Sequence, residues 1–168
     1  MPRRVKISRR PAEPGDRPFL LEVYASTRED ELRLVNWGDD QKRAFCEMQF
    51  EAQDRDYHLN YPDASFEVVL VDGVAAGRLY VGRWPSEIRV IDIALLPSFR
   101  GRGIGSRMLR ELQAEAAAAS APLRIHVERF NPALRLYARL GFVLIEEQGV
   151  YLFLEWRPPE HAAEMPPG

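Results

Sequence analysis

The segment Arg100-Gly101-Arg102-Gly103-Ile104-Gly105-Ser106 brings together residue types able to hold a phosphate group. It follows an apolar run, Val90-Ile91-Asp92-Ile93-Ala94-Leu95-Leu96, that reads as a strand, and it opens a strongly helical stretch. Glycine lets the backbone turn sharply and approach a ligand, because no Cβ stands in the way. A helix start presents unpaired N–H groups and the positive end of the helix dipole. Strand, glycine-rich turn and helix start together make an anion site suited to a phosphate or pyrophosphate. Arg100 and Arg102 add positive charge at its mouth. The lysine and hydroxyl of a P-loop are missing, which argues against a nucleotide triphosphatase. The G-x-G-x-x-G of a dinucleotide fold is absent too.

The pattern as written is Arg-x-x-Gly-x-Gly, at Arg100, Gly103 and Gly105. It resembles the pyrophosphate loop of the GNAT superfamily of acyl-CoA N-acyltransferases. Asp92-Ile93-Ala94-Leu95-Leu96-Pro97 is similar to that family's preceding strand. A second block, Asn131-Pro132-Ala133-Leu134-Arg135-Leu136-Tyr137-Ala138-Arg139-Leu140-Gly141-Phe142, resembles the family's other hallmark, with Asn131 and Tyr137 six apart and the alanine at 133. The resemblance covers roughly residues 66 to 156 and is looser before that.

The resemblance implies direct transfer of an acyl group, most often acetyl, from acetyl-CoA to an amine. The loop residues Arg100, Gly101, Arg102, Gly103, Ile104, Gly105 and Ser106 would hold the pyrophosphate. Backbone groups of Ala94 and Leu95 would pair with the pantetheine arm as an added strand pairs with a sheet edge. Tyr137 is the implied catalytic residue, a general acid to the departing CoA thiolate. A phenol with a pKa near 10 keeps its proton to donate at neutral pH. Its bland reading is a core aromatic at helical spacing with Leu134 and Leu140. Asn131 would hydrogen-bond the cofactor and also cap the helix; asparagine is a favoured cap, and Pro132 follows it. A non-catalytic acyl-CoA sensor or regulatory module is the alternative, and a phosphate-binding interaction domain a third.

The base that would take the amine proton stays open among Glu67, Asp92, His126 and Glu128, with ordered water as a route that needs none of them. Asp92 stands in an apolar run, where a carboxylate must be paired or shifted; a hydrogen bond to loop backbone is the expected partner. Glu29, Asp30, Glu31, Asp39 and Asp40 would suit a cationic amine or form a solvated acidic face. Trp37, Tyr57, Tyr61 and Trp84 would wall a substrate or cover the core. The acceptor, a small-molecule or peptide amine, is not identified by these patterns. No Cys/His cluster has zinc spacing, so no metal is expected.

A chain of 168 residues has ample material for a core, and one domain over residues 1–157 is expected. The formal net charge of -2 gives no general attraction to nucleic acid or to an anionic membrane. One cysteine, Cys46, cannot form an internal disulfide and suits a reducing cytoplasm. No apolar run is long enough to span a bilayer, and the basic start lacks the apolar stretch of a signal peptide. Residues 158–168, rich in Pro, Ala and Glu, read as a mobile tail.

The elements that must position these residues follow from periodicity. Strands are expected at 5–9, 66–71, 74–81, 89–95 and 123–129, with a closing hairpin from 142–145 and 151–156 and a turn at Asp72-Gly73. Helices are expected from Asp16 to about Thr27, from Asp39 or Asp40 to about His58 with Phe45, Met48 and Ala52 inward, from about 102 to 120, and from Pro132 to Gly141. Residues 28–38 give no clear pattern. The fold class is a mixed α/β layer: a mostly antiparallel twisted sheet flanked by helices. The edge strands near the C-terminal hairpin leave room for a homodimer.

Overall fold

The computed structural model describes residues 4–159, so most of the expected tail lies outside the described residues. Seven strands are hydrogen-bonded in the order β1-β2-β3-β4-β5-β7-β6. They are β1 (Ile7–Pro11), β2 (Ser65–Val71), β3 (Val74–Trp84), β4 (Glu87–Leu95), β5 (Leu123–Glu128), β6 (Val143–Gln148) and β7 (Tyr151–Trp156). The helices are α1 (Arg17–Arg33), α2 (Asp39–Asn60), α3 (Ile104–Ala118) and α4 (Leu134–Arg139). The class is the expected mixed α/β fold. The described residues divide into two compact units, 4–80 with 92–102 and 81–91 with 103–159, so β3 and β4 each pass from one into the other.

In the first unit β1 runs antiparallel to β2, with Ile7 opposite Val71 and Pro11 opposite Glu67. Asp72 and Gly73 both have positive φ, 49° and 81°, the backbone of a type I′ hairpin turn. Lys6 N donates to the Asp72 carboxylate at 2.9 Å and so ties the turn to the chain entering β1. Helix α1 starts after Asp16 as expected, but Asp16 does not cap it. Its carboxylate instead takes both Arg10 nitrogens at 2.7 Å and the Glu13 amide at 2.7 Å. The helix continues six residues past the expected Thr27, with Leu32 packed against the apolar cluster and Arg28–Glu31 and Arg33–Asp30 pairs on its exposed side. Leu20, Tyr24, Cys46, Phe50 and Val68 form the apolar cluster under α1 and α2.

The inner face of α2 differs from the expected one. Met48 is 58% exposed and Ala52 is exposed, whereas Cys46 and Phe50 are buried and Gln53 and Tyr57 continue the inward stripe. The reason is polar. Arg78 on β3, 2% exposed, donates to Asp92 on β4 through Nε (3.2 Å) and Nη2 (2.8 Å), and its Nη2 also reaches Gln53 Oε1 at 2.9 Å. The Tyr57 hydroxyl donates to the same Asp92 carboxylate at 2.8 Å. The Asp92 partner is thus a guanidinium and a phenol, not loop backbone. Hydrophobic periodicity misses such a face because half of its inward residues are hydrogen-bonding ones.

In the second unit β4 and β5 run parallel over three register pairs, Ile88↔Leu123 to Val90↔Ile125. Helix α3 buries Ile104, Met108, Leu109, Leu112 and Ala116, the expected stripe. On β5, Leu123, Ile125 and Val127 are buried and Arg124, His126 and Glu128 alternate with them. Arg124 bridges the buried carboxylates Glu87 and Glu155 at 3.1 and 2.8 Å.

Replacing Arg78 with leucine strands Asp92 in a site that desolvates it. The expected loss of unfolding free energy is about 3–5 kcal/mol, and a paired Arg78→Met, Asp92→Leu change recovers much of it; denaturant titration checks both. Asp16 has its pKa drawn down to about 2 by the Arg10 hydrogen bond and the Glu13 amide. A lowered carboxylate stabilises the fold above its unfolded pKa and loses that contribution as pH falls through the folded value. Asp16→Asn therefore flattens the stability decline between about pH 4 and pH 2, read by acid titration of unfolding.

Candidate active site

The first unit carries the approach to the glycine loop. Beyond Leu95, a short 3₁₀ turn over Pro97–Phe99 leads to Arg100. The Arg100 guanidinium folds back: Nε donates to the Leu95 carbonyl at 2.8 Å and Nη2 to the Ser26 hydroxyl at 3.2 Å. Ser26 is buried and itself donates to Val23 O at 2.7 Å. Arg100 is therefore a clamp that closes the loop on α1, a role beyond the expected charge at the mouth. Arg102 lies over the Phe99 ring, 5.5 Å from its centre.

Gly101 and Gly103 have φ of +71° and +79°, a conformation costly for any residue with a Cβ. A Cβ built at either would meet nothing within 4 Å, so the backbone demands glycine there while the space beside it is open. The strand before the loop is more crowded. A Cβ at Gly77 on β3 would stand 2.1 Å from the Ala94 carbonyl oxygen, and Leu96 N donates to Ala76 O at 2.8 Å. Even-numbered residues of this stretch thus turn their backbone groups to β3. By strand alternation Ile93 and Leu95 turn theirs to the opposite edge.

In the second unit Gly103 is the N-cap residue of α3. Its carbonyl accepts the first helical bond, from Arg107 N at 3.1 Å. No side chain caps this end and no acidic residue stands in the first turn. The amides of Ile104, Gly105 and Ser106 therefore have no intrahelical acceptor. Ile104 is 1% exposed, so only its backbone can serve a ligand. A Cβ at Gly105 would lie 3.7 Å from Leu136, an ordinary contact that brings the start of α3 against α4.

Helix α4 starts at Leu134, two residues later than expected, and its N-cap is Ala133. Asn131 is held earlier, in a turn of its own. Its Oδ1 accepts from Ala133 N at 2.8 Å, and its carbonyl accepts from Leu134 N at 3.1 Å. Tyr137 is 3% exposed and meets Phe142 edge-on with ring centres 5.6 Å apart. Gly141, φ +93°, ends the helix, and Phe142 N returns to the Tyr137 carbonyl at 3.0 Å.

The other expected groups separate. Glu67 pairs with Arg9 at 3.5 Å. His126 stacks on Phe153 at 4.3 Å, and burial together with Arg89 pushes its pKa below the usual value. Trp37 packs edge-on against Phe45 of α2, whereas Tyr57 lies 12 residues further along that helix, about 18 Å along its axis, so they form no common wall. Glu29 lines a groove between α1 and α2 with Leu21, Ala25 and Cys46. Sequence reasoning missed Arg78, Gln53 and Ser26. Arg78, the one charge within the apolar run Val74–Gly82, was the available signal for the first, since Asp92 is the one acid within the apolar run Val90–Leu95.

Comparisons with known proteins bear on the family and the fold. A family model described as Acetyltransferase (GNAT) family matches residues 23–142. No curated protein matches the chain. Among solved structures, the chain is similar to PaiA N-acetyltransferase of Thermoplasma acidophilum in complex with coenzyme A, at 16% identity and a TM-score of 0.69, covering 90% of this chain and 99% of that one. It is also similar to Ard1 of Thermoplasma volcanium, at 20% identity and 0.59, covering 90% and 96%. A third is yncA, a putative acetyltransferase of Salmonella typhimurium with acetyl-CoA, at 19% and 0.54, covering 93% and 96%. At these identities the likeness is one of fold, while the family model spans well over half of the residues: the chain belongs to the GNAT acetyltransferase family.

Proposed function

We propose that this chain transfers an acetyl group from acetyl-CoA to the amine of a small molecule or peptide. The observation that carries the reading is the uncapped start of α3 behind two left-handed glycines, within the segment matched by the family model. Three free amides, a helix dipole and open space beside glycine suit a pyrophosphate. Arg102 supplies charge, and Arg100 fixes the loop backbone through Leu95 and Ser26. The pantetheine arm pairs with the main chain of Leu95, on the edge turned away from β3, with the small Ala94 beside it. Asn131 offers its Nδ2 to the same ligand, since Oδ1 is engaged in the turn.

Acetyl-CoA supplies an activated thioester. The amine nitrogen attacks its carbonyl carbon, the C–N bond forms and the C–S bond breaks. Tyr137 donates its phenolic proton to the departing sulfur and regains one from solvent. Glu67 and Asp92 are held by Arg9 and Arg78, and His126 is stacked on Phe153, which favours ordered water over these three groups as the route for the amine proton. The buried, unpaired Cys46 fits a cytoplasmic setting. No helix among the described residues is long and apolar enough to cross a membrane.

Calorimetric titration with acetyl-CoA, set against ATP, tests the cofactor; absence of binding ends the proposal. Gly103→Glu weakens acetyl-CoA binding at least tenfold, about 1.4 kcal/mol, by placing a strained, anionic residue where the phosphates bind. Gly105→Ala, with room for its methyl, leaves the fold within about 1 kcal/mol of wild type by thermal melting. Tyr137→Phe lowers kcat by about 10²-fold or more with an unchanged Kd for acetyl-CoA. Unaltered turnover would make Tyr137 a packing residue.

A further inference from the structure

The apolar cluster beneath α1 and α2 surfaces in a groove of about 580 Å³ between the two helices. Its floor is Leu21, Ala25 and Leu32, half-buried and packed on the cluster, with the buried Cys46 among its lining. On α1 the lining recurs every three or four residues from Pro18 to Leu32, a single stripe about 21 Å long. An apolar stripe of this length along a helix is a surface into which another helix packs. Ala25, halfway along, is the smallest side chain of the stripe and leaves room for a large apolar one from a partner.

The charges that line the groove are sorted along it. Arg33 closes α1, and Lys42 and Arg43 lie in the first turns of α2, so the cations collect at one end. Glu29 stands one turn back from Arg33, and Glu22 a further two turns, about 10.5 Å. Among the described residues, Glu22, Glu29, Lys42 and Arg43 enter no ion pair. Cations in the first turns of a helix oppose its dipole, so α2 itself makes no use of Lys42 and Arg43.

We propose that this groove receives an amphipathic helix of a partner protein, with a leucine-type apolar stripe, an acidic first turn, and two basic residues seven apart on its flank. Laid along α1 with its N-terminus at the Lys42 end, such a helix sets its acidic turn against Arg33, Lys42 and Arg43 and its bases beside Glu29 and Glu22. Acids at its start also suit the partner's own dipole, so the groove selects a direction as well as a partner. An anionic amphiphile would match the cations but lie against the two glutamates. A second copy supplies no such helix: α1, α3 and α4 have no acidic first turn, and α2, which has one, buries Cys46 and Phe50 of its own apolar stripe.

Fluorescence anisotropy with the full chain tests this. The probe is a labelled synthetic peptide about 16 residues long, with leucines at helical spacing, glutamates in its first turn and two lysines seven apart. Its dissociation constant is expected at about 100 μM or tighter, and a peptide with glutamates and lysines exchanged binds at least roughly tenfold more weakly. Lys42→Glu/Arg43→Glu weakens the first peptide by a similar factor and strengthens binding of one whose first-turn glutamates are replaced by lysines. Matching far-UV circular dichroism shows that the variant is folded. No binding of the first peptide overturns the proposal, and so does equal affinity for the first and the exchanged peptide, which is apolar adsorption alone. Dodecanoate that binds the groove more tightly than the peptide makes it an amphiphile site. A chain that sediments as a dimer, dissociated by Lys42→Glu/Arg43→Glu, makes the occupant a second copy. Either result removes the partner helix.

Discussion

A single guanidinium organises the first unit. Arg78, enclosed within the sheet, binds both oxygens of Asp92 on the neighbouring strand and the Gln53 side chain on the covering helix. Burial opposes its charge, but Asp92, with Tyr80 and Tyr57, more than offsets this and holds its pKa above the ordinary value. Burial first, and then the Asp92 charge, raise Tyr57 far above its usual range, so its hydroxyl is a standing donor to the carboxylate. An ion pair of this kind gives little net stability compared with apolar packing, but it permits few alternative arrangements. It sets which face of α2 points inward and which residues of β3 and β4 lie side by side. Ala94 and Leu95, at the end of β4 in the same unit, follow directly from that alignment.

The loop after β4 depends on a different physics. Its shape comes from backbone conformations that only glycine adopts without strain, and from one arginine that turns back onto the carbonyl it has just passed. The result is a helix start with neither a capping side chain nor an acidic first turn. In most helices those unpaired amides are satisfied locally. Here they are left to an external acceptor, and the nearby positive charges are arginines that cannot lose their protons.

What was readable in the sequence follows from what each element depends on. Helix α3 has an apolar stripe of five residues at helical spacing, so its inner face is legible without a structure. Asp72-Gly73 and Gly101 to Gly103 are legible for a related reason, because left-handed backbone selects residue types. Helix α2 was misread because Gln53 and Tyr57 face inward to satisfy Arg78 and Asp92, while Met48 faces out. The end of α1 was missed because its last turns hold one inward apolar residue, Leu32, among charged ones, too few to mark a stripe. Asn131 and Pro132 looked like a cap and a first turn, but the asparagine closes a turn on Ala133 and delays the helix by two residues. The clamp from Arg100 to Ser26 links residues 74 apart, a separation that no local pattern records.

The contact between Gly77 and the Ala94 carbonyl has a design consequence. The gap between β3 and β4 at that point is set by a missing side chain, and a methyl group there has no direction of escape except through the facing carbonyl. Residue 77 is thus a spacer whose thickness is nil. Anyone wishing to shift the main chain of residues 93–95 by a few tenths of an ångström has a handle on the adjacent strand, remote in sequence from the loop and leaving every residue of the loop as it is.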